Sequence, residues 1–224
     1  VGLGYTRQAC AIGIEFFALN ALENQKYYRS LFLIFLASTF HLSILSTLFI
    51  FIGKPRKNIF KFKNVILLTI FCIIGLLILF NFQYAILGYY RLYIMRTYTS
   101  AGAIYRIIPT LLAALIIIFR KSKFEFYYGD SINIYLKMAY AAVVIALSIF
   151  IFPNISTIFD RFSLYLTPLP IYVFTKSIRL KLYKVDKIEY NFLFLLAYFF
   201  YTFFWLQFAV HSKWFVPYKN ILFL

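Results

Sequence analysis

The sequence predicts an all-α, polytopic helical membrane protein with about six to seven membrane segments, one of them broken or re-entrant around His41. Three observations predict it. Of 224 residues, 63% are hydrophobic and 13% charged, where a soluble domain carries about a quarter charged residues. The apolar residues fall in runs close to the ~20 needed for one crossing. The charges, 23 basic against 7 acidic for a net +16, gather in alternate loops. A soluble domain, a disordered chain and a disulfide scaffold are excluded on these grounds. Cys10 and Cys72 lie in apolar runs and read as small hydrophobes. The basic excess follows the positive-inside pattern and calls for no nucleic-acid partner.

Residues 1–224 read as one transmembrane domain. Two apolar runs occupy 3–22 and 31–52. If each crossed once, Lys26 and Arg29 would lie outside, against the charge rule. A bend near His41 removes the conflict: the 31–52 run enters and leaves on the cytoplasmic side, and Arg7 lies outside. Twenty-two residues of helix reach about 33 Å and cannot cross twice. Further spans are expected at 65–82, 101–119, 138–152, 157–175 and 190–210. Loops 53–63, 120–137 and 176–189 carry fourteen Lys and Arg residues between them and are expected in the cytoplasm. The other face has Arg91, Arg96, Arg106, Arg161, Lys213 and Lys219, and the C-terminus falls on that side.

The two faces differ in kind as well as number. The inner face has three Arg and eleven Lys, the outer four Arg and two Lys. Topology does not require that difference. Arg offers a rigid, permanently charged fork that matches phosphate, so the outer face suits a phosphate-bearing ligand. Tyr84, Tyr89, Tyr90, Tyr93 and Tyr98 surround Arg91 and Arg96; they suit sugar rings, or equally an amphipathic segment resting at the headgroups.

Ionisable residues inside apolar spans are costly and are default functional candidates. Here they are Arg7, Glu15, His41, Arg106, Asp160 and Arg161. Each also has a plain structural reading. Glu15 fits a buried partner of a basic side chain, Asp160 a local ion pair with Arg161 or a helix N-cap, and His41 a hydrogen-bonded core imidazole. There is no Gly-rich phosphate loop and no Cys/His set with metal spacing. Asp160 is the one carboxylate in the outer segments, which argues against a carboxylate-held divalent cation there. Metal and cofactor are therefore both read as none.

The stretch Gly4-x-x-Arg7-Gln8-x-x-Ala11, a polar turn from Asn24 to Arg29, and Ala37-x-x-Phe40-His41-x-Ser43 together resemble the EpsG-like branch of Wzy-type bacterial O-antigen, capsule and exopolysaccharide polymerases. Arg161-x-x-x-Tyr165 ahead of Pro168 and Pro170, and Trp214-x-x-Pro217-Tyr218, are similar to that family as well. The resemblance runs over nearly the whole chain. It implies a multi-pass protein of the bacterial plasma membrane that joins oligosaccharide repeat units carried on undecaprenyl diphosphate at the outer face. It implies Arg7 and His41 as catalytic residues, and Gln8, Arg91, Arg96, Arg106, Arg161 and Tyr165 as substrate-binding residues. Partners would be the lipid-linked oligosaccharide, the bilayer and a chain-length regulator. Family members carry further spans before the Arg-Gln motif, so the chain is expected to be the C-terminal part of a longer fold. The rival readings are a lipid-linked glycan flippase, which should show an internal repeat or a charged path to both leaflets, and a non-catalytic membrane subunit.

Overall fold

The computed structural model describes residues 6–51, 87–88, 100, 102–180 and 187–208, and every regular element among them is helical. Eight α-helices are present among these residues: α1 Thr6–Glu23, α2 Tyr27–Phe40, α3 Ala103–Phe119, α4 Lys121–Tyr128, α5 Ile132–Ile151, α6 Ser156–Ser163, α7 Pro168–Arg179 and α8 Lys187–Phe208. Short 3₁₀ turns join several of them, and a longer 3₁₀ segment, Leu42–Phe51, follows α2. The chain divides into two compact units, Val1–Ile171 and Tyr172–Leu224.

In the first unit, α1 and α2 form an antiparallel pair. Gln25 takes a left-handed conformation with φ 61°. Its N–H bonds the Leu22 carbonyl and the Lys26 N–H reaches Ala21, the pattern that closes a helix C-terminus on its own carbonyls. The Ser30 hydroxyl then donates to the Ala18 carbonyl at 2.7 Å, and Ala11 and Ala37 share one buried cluster. Small side chains let the two backbones approach closely, as helices in lipid require.

α2 ends at His41, whose φ of −153° and ψ of 111° are extended. The ten residues Leu42–Phe51 continue as 3₁₀ helix, long for this geometry. The sequence pattern explains it. Ile44, Thr47 and Ile50 are the buried residues, and a spacing of three gives one straight buried stripe only at three residues per turn. The Lys137 ammonium donates to the Ile50 carbonyl at 2.7 Å. Two residues away on α5, the Tyr135 hydroxyl meets Glu23 at 2.5 Å. The end of the 3₁₀ segment is therefore level with the end of α1. α2 rises about 21 Å to His41, and the 3₁₀ segment returns about 20 Å. The expected bend lies at His41.

α3 and α5 pack through Ala103, Ile107, Ala146 and Ile149, again a small-residue seam. Where the sequence suggests a loop at 120–137, helix fills most of the stretch. α4 ends at Gly129, whose φ of 57° and ψ of −142° suit only glycine, and α5 begins at Ile132, six residues before the expected span. Lys137 sits inside α5 because its ammonium has the Ile50 carbonyl to bond. The single span expected at 157–175 is broken into α6, the 3₁₀ turn Leu164–Leu166 and α7. Pro168 and Pro170 lack N–H groups, and α7 starts at the first of them.

Among the described residues, one helical run, Lys121–Ile151, is long and apolar enough to cross a membrane. Leu42–Phe51, Ala103–Phe119 and Leu195–Phe204 are shorter apolar helices. Of the six to seven expected membrane segments, the one at 31–52 is broken at His41, as expected, and the one at 157–175 is divided. The expected span 65–82 and loop 53–63 lie outside the described residues. The distribution of polarity is nonetheless inverted. Outward stripes are apolar: Ile104, Ile108, Leu112, Leu115 and Phe119 on α3, and Tyr140, Val144, Leu147 and Ile151 on α5 are exposed. Gln8, Glu15, Ser30, Thr47, Ser156 and Asp160 are buried. In the second unit, α8 exposes aromatic and aliphatic side chains around its circumference.

Candidate active site

The break at His41 creates the site. Leaving α2 in extended conformation carries the imidazole out of the helical ladder, and the ring reaches Tyr165. The Nδ1 to Oη distance is 2.6 Å, and the ring centroids are 6.1 Å apart. Tyr165 is 1% exposed and packs with Ala11, Ile12, Ala37 and Ile44. It stands in the 3₁₀ turn between α6 and α7. One turn earlier on α6, Arg161 accepts a long 3.4 Å hydrogen bond from Gln8 Nε2 at its backbone carbonyl. The Arg161 charge also acts electrostatically on the imidazole. Three separate stretches of sequence, around Gln8, His41 and Arg161–Tyr165, thus meet in space.

A second polar group lies on the neighbouring helices. Arg106, in the first turn of α3, grips Asp160 of α6 through two parallel bonds, Nε to Oδ1 at 2.8 Å and Nη2 to Oδ2 at 2.5 Å. Ser100 Oγ donates to the same carboxylate at 2.9 Å and receives Nη2 at 2.6 Å. The Ser100 N–H bonds Ser156 Oγ. The partner of Asp160 is therefore Arg106, 54 residues away in sequence, and not its neighbour Arg161. Asp160 also stands inside α6 and is not an N-cap.

Of the expected site residues, the structure brings Gln8, His41, Arg161 and Tyr165 together and assigns Arg106 to Asp160. Arg7 is exposed on the first turn of α1. The α1–α2 register sets it level with His41, with its side chain outside the buried cluster. Arg91 and Arg96 lie outside the described residues. Glu15 is fully buried, and neither carboxylate oxygen has a hydrogen-bond partner among the described residues. Of the two readings of Glu15, a partner of a basic side chain or a residue on a polar seam, the first finds no basic group at its oxygens among the described residues. Among the described residues no group of three or more His, Cys, Asp or Glu side chains could hold a metal.

A family model described as EpsG family matches residues 1–220. The chain belongs to the EpsG family. That family is associated with exopolysaccharide biosynthesis and its members are membrane proteins. No curated protein and no solved structure matches this EpsG-family chain. The Gln8, His41 and Arg161–Tyr165 stretches on which the family resemblance rests are the ones that converge at the helix break. Sequence reasoning alone misses Ser100, whose hydroxyl bonds both Asp160 and Arg106; a serine six residues ahead of Arg106 carries only a faint signal.

Proposed function

We propose that this EpsG-family chain polymerises undecaprenyl-diphosphate-linked oligosaccharide repeat units at the outer face of the bacterial plasma membrane, by glycosyl transfer that uses no metal. The observation that carries the reading is the His41–Tyr165 hydrogen bond at a helix break on which Gln8 and Arg161 converge. A hydroxyl oxygen of one repeat unit attacks the anomeric carbon of the growing glycan. The bond from that carbon to the diphosphate oxygen breaks, and the lipid diphosphate leaves with the electron pair. The hydroxyl proton passes to His41 Nε2. This requires the neutral tautomer in which Nδ1 carries its proton and donates to Tyr165 Oη, leaving the Nε2 lone pair available. Arg161, Arg7 and Arg106 stabilise the charge that develops on the diphosphate, as do Arg91 and Arg96 in this reading.

The exposed position of Arg7, level with His41, suits a substrate held by the bilayer itself. The end carrying Lys26, Arg29, Arg120, Lys121, Lys123 and Lys137 faces the cytoplasm, and the His41 end faces outward. Ala11, Ile12, Ala37 and Ile44 form an apolar layer beside Tyr165, which supports an enzyme over a flippase needing a polar path to both leaflets. A chain-length regulator is a further partner in this reading.

The test is polymer formation by the chain in lipid nanodiscs supplied with lipid-linked repeat units. The wild type should give a ladder of products. His41→Gln, at equal membrane levels, should lose about two to four orders of magnitude in rate, the usual share of general acid–base catalysis. Retention of most activity would sink the base role. A wild type that inserts but makes no ladder would sink the polymerase reading.

A further inference from the structure

α4 lies across one end of the α3–α5 pair and not along it. The cluster Ala103, Ile107, Ala146 and Ile149 stands at a similar distance along the chain from Phe119, where α3 ends, and from Ile132, where α5 begins. Those two helix ends are therefore level. The chain turns at Arg120, with φ −108° and ψ 19°, and again at Gly129. Between the turns, Lys121–Tyr128 reach about 12 Å, close to the roughly 8–10 Å between packed helix axes. Phe124 is the residue that α4 buries. Phe126 is 83% exposed, Phe119 80% and Tyr127 60%. The Lys121 ammonium pairs with Glu125 at 3.4 Å. Arg120 and Lys123 are exposed, and among the described residues no carboxylate pairs with them. At about 100° per residue, Lys123 falls between Phe126 and Tyr127, while Lys121 and Glu125 share another flank.

We propose that α4 rests in the inner-leaflet headgroup layer and binds an anionic phospholipid, with Phe119, Phe126 and Tyr127 set among the upper acyl carbons and Arg120 and Lys123 on the phosphate. The choice of leaflet rests on the orientation in the polymerase reading above; the binding itself does not. Aromatic rings favour the boundary between hydrocarbon and headgroups. A lysine among them lays its stem on apolar surface and keeps its ammonium at the polar level, where anionic headgroups attract it. Continuity favours lipid over a water-soluble partner. Phe119 ends the exposed stripe Ile104, Ile108, Leu112 and Leu115 of α3, so the aromatic patch extends the surface that meets acyl chains.

The full chain in mild detergent is titrated with short-chain phosphatidylglycerol and, separately, with short-chain phosphatidylcholine, and bound lipid is counted by native mass spectrometry. Phosphatidylglycerol should bind more tightly. Lys123→Ala and Arg120→Ala should each lower that preference by about fivefold, the scale of one basic residue at an anionic surface. Glu125→Gln, which releases Lys121, should raise it. Equal affinity for the two lipids, or an unchanged preference in both alanine variants, would overturn the proposal. Depth is read in nanodiscs from a nitroxide on Phe126→Cys, in a chain with Cys10 and Cys72 changed to Ala. Collisions with oxygen should exceed those with a water-soluble nickel chelate. The reverse order would place this face in water, open to a soluble partner, and would overturn the proposal as well. A wild type that prefers phosphatidylglycerol but makes no polymer ladder would sink the polymerase reading and leave the lipid site standing.

Discussion

The two ends of the first unit use polar side chains in opposite ways. At the end where α1 meets the turn to α2, Lys137 and Tyr135 of α5 reach out to a bare carbonyl at Ile50 and a carboxylate at Glu23. These bonds close off chain ends. At the other end, His41, Tyr165, Gln8, Arg106 and Asp160 bond across elements that have just broken or just begun. Those bonds hold side chains where backbone is interrupted. Backbone left without its ladder is tolerated at membrane depth only where protein or a cavity covers it. The first end repairs that cost, whereas the second puts the interruption to use.

Tyr165→Phe attacks the second end most directly. It keeps the ring in its packing and removes the oxygen from His41 Nδ1. Loss of one hydrogen bond of about 1–3 kcal/mol should lower the polymerisation rate by roughly 10- to 100-fold, measured as initial rate at a temperature well below the unfolding midpoint, which should itself fall. Unchanged rate would mean that the bond only fills space.

Lys137→Met attacks the first end. The Ile50 carbonyl loses its donor, and stability should fall by about 1–3 kcal/mol, read from thermal or denaturant unfolding in detergent. An equal stability would show that lipid or water serves that carbonyl as well as the ammonium does.

Between the two ends lies Glu15, buried and without a hydrogen-bond partner among the described residues. Replacing it with Leu removes an uncompensated polar group of about the same size. Stability should rise by about 1–2 kcal/mol, measured by the same unfolding experiment. A fall would expose a partner that the carboxylate gains in the membrane.

The smallest effect is expected at the α1–α2 turn. Gln25 holds φ 61° with a side chain that disfavours it, at a cost of about 1 kcal/mol. Gln25→Gly should recover part of that, offset by the extra chain entropy of glycine. The comparison of unfolding midpoints checks it, and a clear loss would mean that the Gln25 side chain itself supports the turn.

Much of the fold is legible in the amino-acid order itself. Hydropathy and charge specify the helical membrane class, because apolar run length and loop charge are local properties of the chain. The bend at His41 is legible for a different reason: two charge constraints are met together only if the 31–52 run turns back. Residues 103–119 and 187–208 are helical where spans are expected, although Pro109 lies inside the first of them. Residues 157–175 read as one span in the sequence, and the structure divides them. Hydropathy averages over a window and does not register that a 3₁₀ turn and two prolines divide it.

The candidate site shows the same division. The sequence singled out candidates: His41 and Arg161 as ionisable residues in apolar runs, and Gln8 and Tyr165 through the family resemblance. Only the tertiary structure decided who meets whom. Asp160 stands beside Arg161 in sequence, yet successive positions on a helix point about 100° apart. Its carboxylate faces α3 and finds Arg106. His41 and Tyr165 are 124 residues apart, and no local pattern records that distance. Partnership depends on packing between helices, and packing is set by the whole arrangement of small and large side chains along their seams.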